Sequence, residues 1–296
     1  MYMLYNLIDK CNILLGRIFF NNLNLFSYNI ANYLLKKTFS KKKSHYLANF
    51  INHGFQKISN IPSNYIDDLN KLLSKQEEKI SSNFQKIVNE DVCFSFEITE
   101  EIQEKIFDIL NRPLEHFVNE LKNYYGMSVV LSNALIRRNY SIDGSSEKFS
   151  NFFHTDGYTC ALVKVFINLH DMSVDNGPLR YVFKKDAQQI LKNNQVNVNR
   201  IPEIKEDYLV NHNTGLKGDV FLCNTSDIIH AAGIPKLGFT RDILFFDLCA
   251  LSKKNILHKI INNNIKKREF PKESYTKIIA KPIGIRGLFK NLLNYI

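Results

Sequence analysis

The chain has 296 residues, 45% of them hydrophobic and 12% aromatic, and 39 Lys and Arg outweigh 29 Asp and Glu for a formal charge of +10. This length and apolar content allow a substantial buried core, in one large domain with appendages or at most two domains. Five cysteines, odd in number and without a C-x-x-C pair (Cys11, Cys93, Cys160, Cys223, Cys249), argue against a disulfide framework and a structural zinc cluster, so a reducing cytoplasm is the expected compartment. No stretch approaches the roughly 18 to 20 apolar residues of a spanning helix, and no cleavable leader pattern opens the chain, so neither membrane spanning nor secretion is expected. The positive charge suits nucleic acid, an anionic bilayer or an acidic substrate alike. No zinc-finger spacing and no aromatic-basic RNA-binding signature appear, and nucleic acid is not an expected partner.

Leu4, Leu7, Ile8, Cys11, Leu14, Leu15, Ile18 and Phe19 recur at three-and-four spacing and predict an amphipathic helix. A second apolar stripe through Leu23, Phe26, Ile30 and Leu34 runs into a basic cluster at Lys36, Lys37, Lys41, Lys42 and Lys43. Such helices can pack on their own domain or make peripheral contact with an anionic membrane surface, and the basic, apolar C-terminus "IAKPIGIRGLFKNLLNYI" shares both readings. Thr99 before Glu100 and Glu101 predicts a capped helix, broken at Asn111 and followed by another after Pro113. From about residue 127 the texture changes to short Val-, Ile- and Phe-rich runs separated by Asn, Gly, Asp and Pro, which read as strands.

Helices followed by strands, with no βαβ alternation and no internal repeat, predict an α+β fold. The expected architecture is a jelly roll, or double-stranded β-helix of cupin-like type, with a helical layer. The expected divisions are a helical extension over 1–80, a jelly-roll domain over 81–255 and a basic tail over 256–296.

In "NFFHTDGY", residues 151 to 158, a strand would put His154 and Asp156 on one face, where both can reach one ion. His230, at the end of "GDVFLCNTSDIIH", is the candidate third ligand. Two imidazoles and a carboxylate on one face of an octahedron leave positions open and suit non-haem Fe(II). Arg241 follows His230 across the turn "GIPKLG" and heads into an apolar strand. A buried arginine calls for an anion, and its planar fork suits a carboxylate.

With these blocks in place the chain resembles the phytanoyl-CoA dioxygenase family of Fe(II)- and 2-oxoglutarate-dependent oxygenases. The resemblance covers about residues 127 to 250 and rests on "HTD", "LHDMSVDNGPLRYV", "KGDVFLCNTSDIIHAAG" and the arginine of "TRDILFFD". It implies that His154, Asp156 and His230 ligate iron and that Arg241 pairs with the distal carboxylate of 2-oxoglutarate. It further matches Arg138 to a second basic co-substrate contact and Phe166 to a flanking ring. The implied reaction takes O2 and 2-oxoglutarate, releases succinate and CO2, and hydroxylates a C–H bond of a small-molecule, lipid-like or sugar substrate. Asp156 argues against halogenation, which replaces the acidic ligand by a small residue.

The chain departs from the family where "VFKKDAQ" replaces a Pro-Gly-Ser-His turn and where Ala232 stands in place of a frequent hydroxyl residue. Asn176, Gly177 and Pro178 read as turn chemistry, Asp219 as the start of a strand, His170 as a strand-end histidine, and Lys164 and Arg180 either as solvated strand positions or as groups pointing into the barrel toward an anionic substrate. Two rival readings remain open at this point. One is a zinc hydrolase or isomerase on the same scaffold; the other is a non-catalytic binding protein acting at a membrane surface.

Overall fold

The computed structural model describes residues 44–90, 93–126, 128–141, 151–156, 162–194, 204, 208–251, 265–269 and 276–280. The helices expected within residues 4–34, the lysine cluster after them and the last sixteen residues lie outside this set.

Among the described residues, six antiparallel strands form the principal sheet in the order β1-β7-β4-β9-β3-β2. They are β1 (Phe55–Asn60), β2 (Cys93–Phe96), β3 (Ser128–Asn139), β4 (Leu162–Asn168), β7 (Asp219–Cys223) and β9 (Arg241–Leu251). A second sheet, β6-β5-β8, contains β5 (Arg180–Val182), β6 (Asn211–His212) and β8 (Ile229–Ala231). Strands β10 (Ile265–Glu269) and β11 (Thr276–Ala280) pair with each other. The helices are α1 (Ala48–His53), α2 (Ser63–Glu90), α3 (Glu100–Asn111), α4 (Glu115–Tyr125) and α5 (Lys184–Asn194).

Period-two alternation sorts the principal sheet into two faces. Val163, Val165 and Ile167 of β4, Val220 and Leu222 of β7, and Leu244, Phe246 and Leu248 of β9 pack against α2, α3 and α4 in the main core. The amphipathic stripes Ile66-Leu69-Leu73, Ile102-Ile106-Ile109 and Phe117-Leu121-Tyr125 supply the helical half of that core. The Thr99 hydroxyl accepts the Ile102 amide and caps α3, and the acidic first turn suits the positive end of the helix. Gly126, with φ 65°, ends α4 in the left-handed region.

The opposite face of the sheet carries Phe166, Phe221, Cys223 and Ile243, which meet Leu179, Tyr181 and Ile228 of the second layer. Two facing antiparallel sheets with helices on the outer side make an α+β jelly roll. The division expected at residue 80 does not coincide with a break in the fold. Strand β1 pairs with β7 at the sheet edge, and Ile66, Leu69 and Leu73 belong to the main core. Edge pairing by so short a strand carries little periodic signal, which is why residues 55–60 read as part of an extension. No helix among the described residues is long and apolar enough to cross a membrane.

Candidate functional site

His154, Asp156 and His230 come together at the edge of the second sheet. The segment around His154 is not the strand expected there: His154 forms an isolated bridge to His230, and residues 157 and 158 lie outside the described set. Main-chain bonds do the positioning instead. The amide of each histidine donates to the other's carbonyl at 2.9 Å, and the Asp156 amide donates to the Thr225 carbonyl at 2.9 Å. Strand β8 itself is held on β5, with His230 opposite Tyr181.

One ligand atom from each of the three residues lies within 4.8 Å of the others. The Asp156 carboxylate stands 3.7 Å from His154 Nε2 and 3.8 Å from His230 Nε2. His154 Nδ1 sits 2.7 Å from the Phe152 carbonyl, so a proton on Nδ1 donates there and leaves the Nε2 lone pair facing Asp156. Burial pushes the His230 pKa down to about 3, against the opposing pull of Asp156, and the ring is neutral at physiological pH. Burial would raise the Asp156 pKa, but Lys164 and the imidazole of His230 hold it at about 2. Two imidazole nitrogens and an ionised carboxylate at this separation fit a divalent first-row metal ion.

Lys164 does not occupy a solvated strand face. Its ammonium lies 2.6 Å from Asp156, with both side chains 14% exposed. On the inner face, Lys164 is in register with Asp247, a buried carboxylate on β9. The run "LVKVFIN" alternates, and the apolar members go to the helical side, which sends Lys164, Phe166 and Asn168 inward.

Arg241 opens β9 on this same inner face and is 4% exposed. Its Nε and Nη1 are buried without a hydrogen-bond partner. Burial first, and then the positive charge of Arg137, lower its pKa to about 10. A buried guanidinium with unmatched donors carries a desolvation cost that an anion beside it would offset.

Arg138 is not beside it. The β3–β9 register pairs Arg138 with Asp242, so both point to the helical side. There Arg138 grips Asp242 through Nε at 2.8 Å and Nη2 at 2.5 Å, and also contacts Glu77 of α2. Adjacent residues on a strand face opposite ways, so Arg137 is the one that points inward. Its guanidinium carbon is 5.4 Å from the centre of the Phe245 ring, and its Nε is buried without a partner. Phe166 is inward as well, 5% exposed, with its ring centre 5.8 Å from that of Phe245.

The remaining positions are structural. Asn176 ends a short 3-10 turn, and its side-chain amide donates to the Thr240 carbonyl at 2.9 Å, tying the turn to the residue before Arg241. Gly177 has φ 66°, and a Cβ there would fall 2.4 Å from the Ile234 backbone, while one on Gly233 would fall 2.3 Å from the Pro178 carbonyl. Asp219 is bound by Lys57, Asn60 and the Leu216 amide. His170 Nε2 accepts the Asp242 amide at 3.0 Å. Arg180 donates to the Asn151 carbonyl and lies over the Phe153 ring at 4.7 Å. Ala232 is buried and brings no hydroxyl to the site.

No family profile matches the chain, and no curated protein matches it in sequence. Solved structures are similar in fold. AviO1 from Streptomyces viridochromogenes Tue57 shares 14% identity over 71% of this chain and 96% of its own, with a TM-score of 0.45. The non-heme alpha ketoglutarate dependent epimerase SnoN from nogalamycin biosynthesis shares 11% identity over 74% and 82%, with a TM-score of 0.47. HygX from Streptomyces hygroscopicus, solved with nickel and 2-oxoglutarate bound, shares 13% over 71% and 88%, with a TM-score of 0.46. At such identities and scores no residue role passes to this chain, and its chemistry rests on its own side chains.

Proposed function

We propose that this chain is a non-haem Fe(II)- and 2-oxoglutarate-dependent oxygenase of the phytanoyl-CoA dioxygenase kind, hydroxylating a C–H bond of a small-molecule or lipid-like substrate. The observation that carries the reading is Arg241: a buried guanidinium with two unpartnered nitrogens on the inner face, in the same interior as a His-Asp-His set. A metal hydrolase needs no such group.

In this reading His154, Asp156 and His230 hold Fe(II), and Arg241 receives the distal carboxylate of 2-oxoglutarate. Together the metal and the keto acid supply, from O2, an oxidant able to take hydrogen from an unactivated C–H bond. The protein's own part is preorganisation and exclusion of water. The Phe152 carbonyl orients His154, and its main-chain bridge to His230 fixes the spacing of the two rings. Phe166, Phe221, Phe245 and Tyr181 line the interior with apolar surface that keeps competing water away.

The test is consumption of 2-oxoglutarate with stoichiometric succinate, measured with Fe(II), with Zn(II) and without metal across a panel of candidate substrates. Turnover dependent on Fe(II) and 2-oxoglutarate supports the reading. Hydrolysis or isomerisation supported by Zn(II) without 2-oxoglutarate overturns it.

A further inference from the structure

We infer that Arg137 receives an anionic group of the substrate itself, a carboxylate or a phosphate, so that the enzyme acts on acids. The inference rests on the functional reading above, and three features of the inner face lead to it.

The first is direction. Along the β3–β9 ladder Asn139 faces Arg241, Arg137 faces Ile243 and Leu135 faces Phe245. The Arg137 guanidinium lies over Phe245, one rung beyond its own position and away from Arg241. The next rung is that of Asp247 and Lys164, and Lys164 touches Asp156. The Arg137 side chain therefore runs along the inner face from the Arg241 end towards the rung of Lys164, the residue that touches Asp156.

The second is accessibility. Arg241 is sealed at 4% exposure, whereas Arg137 is only partly buried. Of the two inward guanidinium groups, Arg137 is the one with surface still open to an incoming anion.

The third is charge. Among the described residues the inner face carries Arg137, Arg241 and Lys164 against Asp156 and Asp247, with Lys57 and Asp219 compensating each other. A divalent ion and a doubly charged keto acid would leave that set one unit positive. Arg137 also retains a buried Nε without a partner, and an unmatched charge in a partly dry interior favours a further anion.

Isothermal titration calorimetry on the full chain, loaded with Fe(II) under argon so that no turnover occurs, tests this. Wild type is titrated with 2-oxoglutarate to saturation and then, separately, with inorganic phosphate and with butyrate. The expected result is a second binding event with one of these anions, and which of them binds separates phosphate from carboxylate substrates. Arg137→Gln should weaken the second event at least tenfold and leave 2-oxoglutarate affinity within about twofold, while Arg137→Lys restores part of it. Absence of a second event in wild type, an undiminished one in Arg137→Gln, or loss of 2-oxoglutarate affinity in that variant overturns the inference alone. Failure of the wild type to take up 2-oxoglutarate overturns the functional reading, and this one with it.

Discussion

Arg241→Met should make the ligand-free protein more stable. The wild-type guanidinium is 4% exposed, and two of its nitrogens have no partner. Burial first, and then the neighbouring Arg137, bring its pKa down from the ordinary guanidinium value to about 10. At about 1.4 kcal/mol per unit, keeping the charge in the fold costs roughly 3 kcal/mol. The sign follows from the direction of the shift. A base whose folded pKa is depressed destabilises the fold fully below the folded value, and the penalty fades as pH rises above about 10 towards the value of the unfolded chain. Methionine has a similar reach without the charge. Denaturant unfolding at neutral pH should show a gain on the order of 3 kcal/mol, or roughly 6–12 °C in Tm for a domain of this size. With Fe(II) present in both, saturating 2-oxoglutarate should stabilise the wild type more than the variant and narrow or reverse the difference. A variant that is less stable than wild type without ligands, or that gains as much from 2-oxoglutarate, refutes the account of Arg241 as a buried charge awaiting a counter-anion.

His154→Ala should reduce Fe(II) affinity more than about a hundredfold, beyond what losing a supporting partner does, as read by equilibrium dialysis. Arg138→Gln should lower unfolding stability, because Asp242 and Glu77 lose their shared partner, yet leave 2-oxoglutarate affinity unchanged in calorimetry. His230, neutral in the fold with its pKa pushed to about 3, should make stability fall with falling pH between about 6.5 and 3, where the unfolded chain binds the extra proton. His230→Gln should flatten that slope by several kcal/mol in metal-free denaturation curves. Gly177→Ala should destabilise by more than about 1 kcal/mol, since φ is 66° and a Cβ would overlap the Ile234 backbone. Thermal unfolding measures it.

Much of this arrangement is legible in the sequence. Strand-rich texture after residue 127 and helical spacing before it lead to the right architecture because burial on one face imposes period two or period three-and-four directly on residue order. His154, Asp156, His230 and Arg241 stand out because polar residues embedded in apolar runs need a reason to be there. Arg138 shows the limit. Two consecutive arginines are indistinguishable by composition, and only the register with β9 decides which enters the interior: Arg138 opposite Asp242, Arg137 opposite Ile243. Lys164 is a similar case. Alternation in "LVKVFIN" gives two faces without saying which one is wet, and both turn out to be covered. Strand β1 escapes notice because "FQKISN" is half polar and its partner lies more than 150 residues away.

The clasp between Asn176–Gly177–Pro178 and the segment 232–240 would, under the proposed function, bear on co-substrate choice. His230 and Arg241 stand at opposite ends of one short connection whose middle is pressed, backbone to backbone, against that turn. The spacing of His230 and Arg241 is therefore set in main chain, and under the proposed function that spacing would grade diacids by length without help from side-chain repacking.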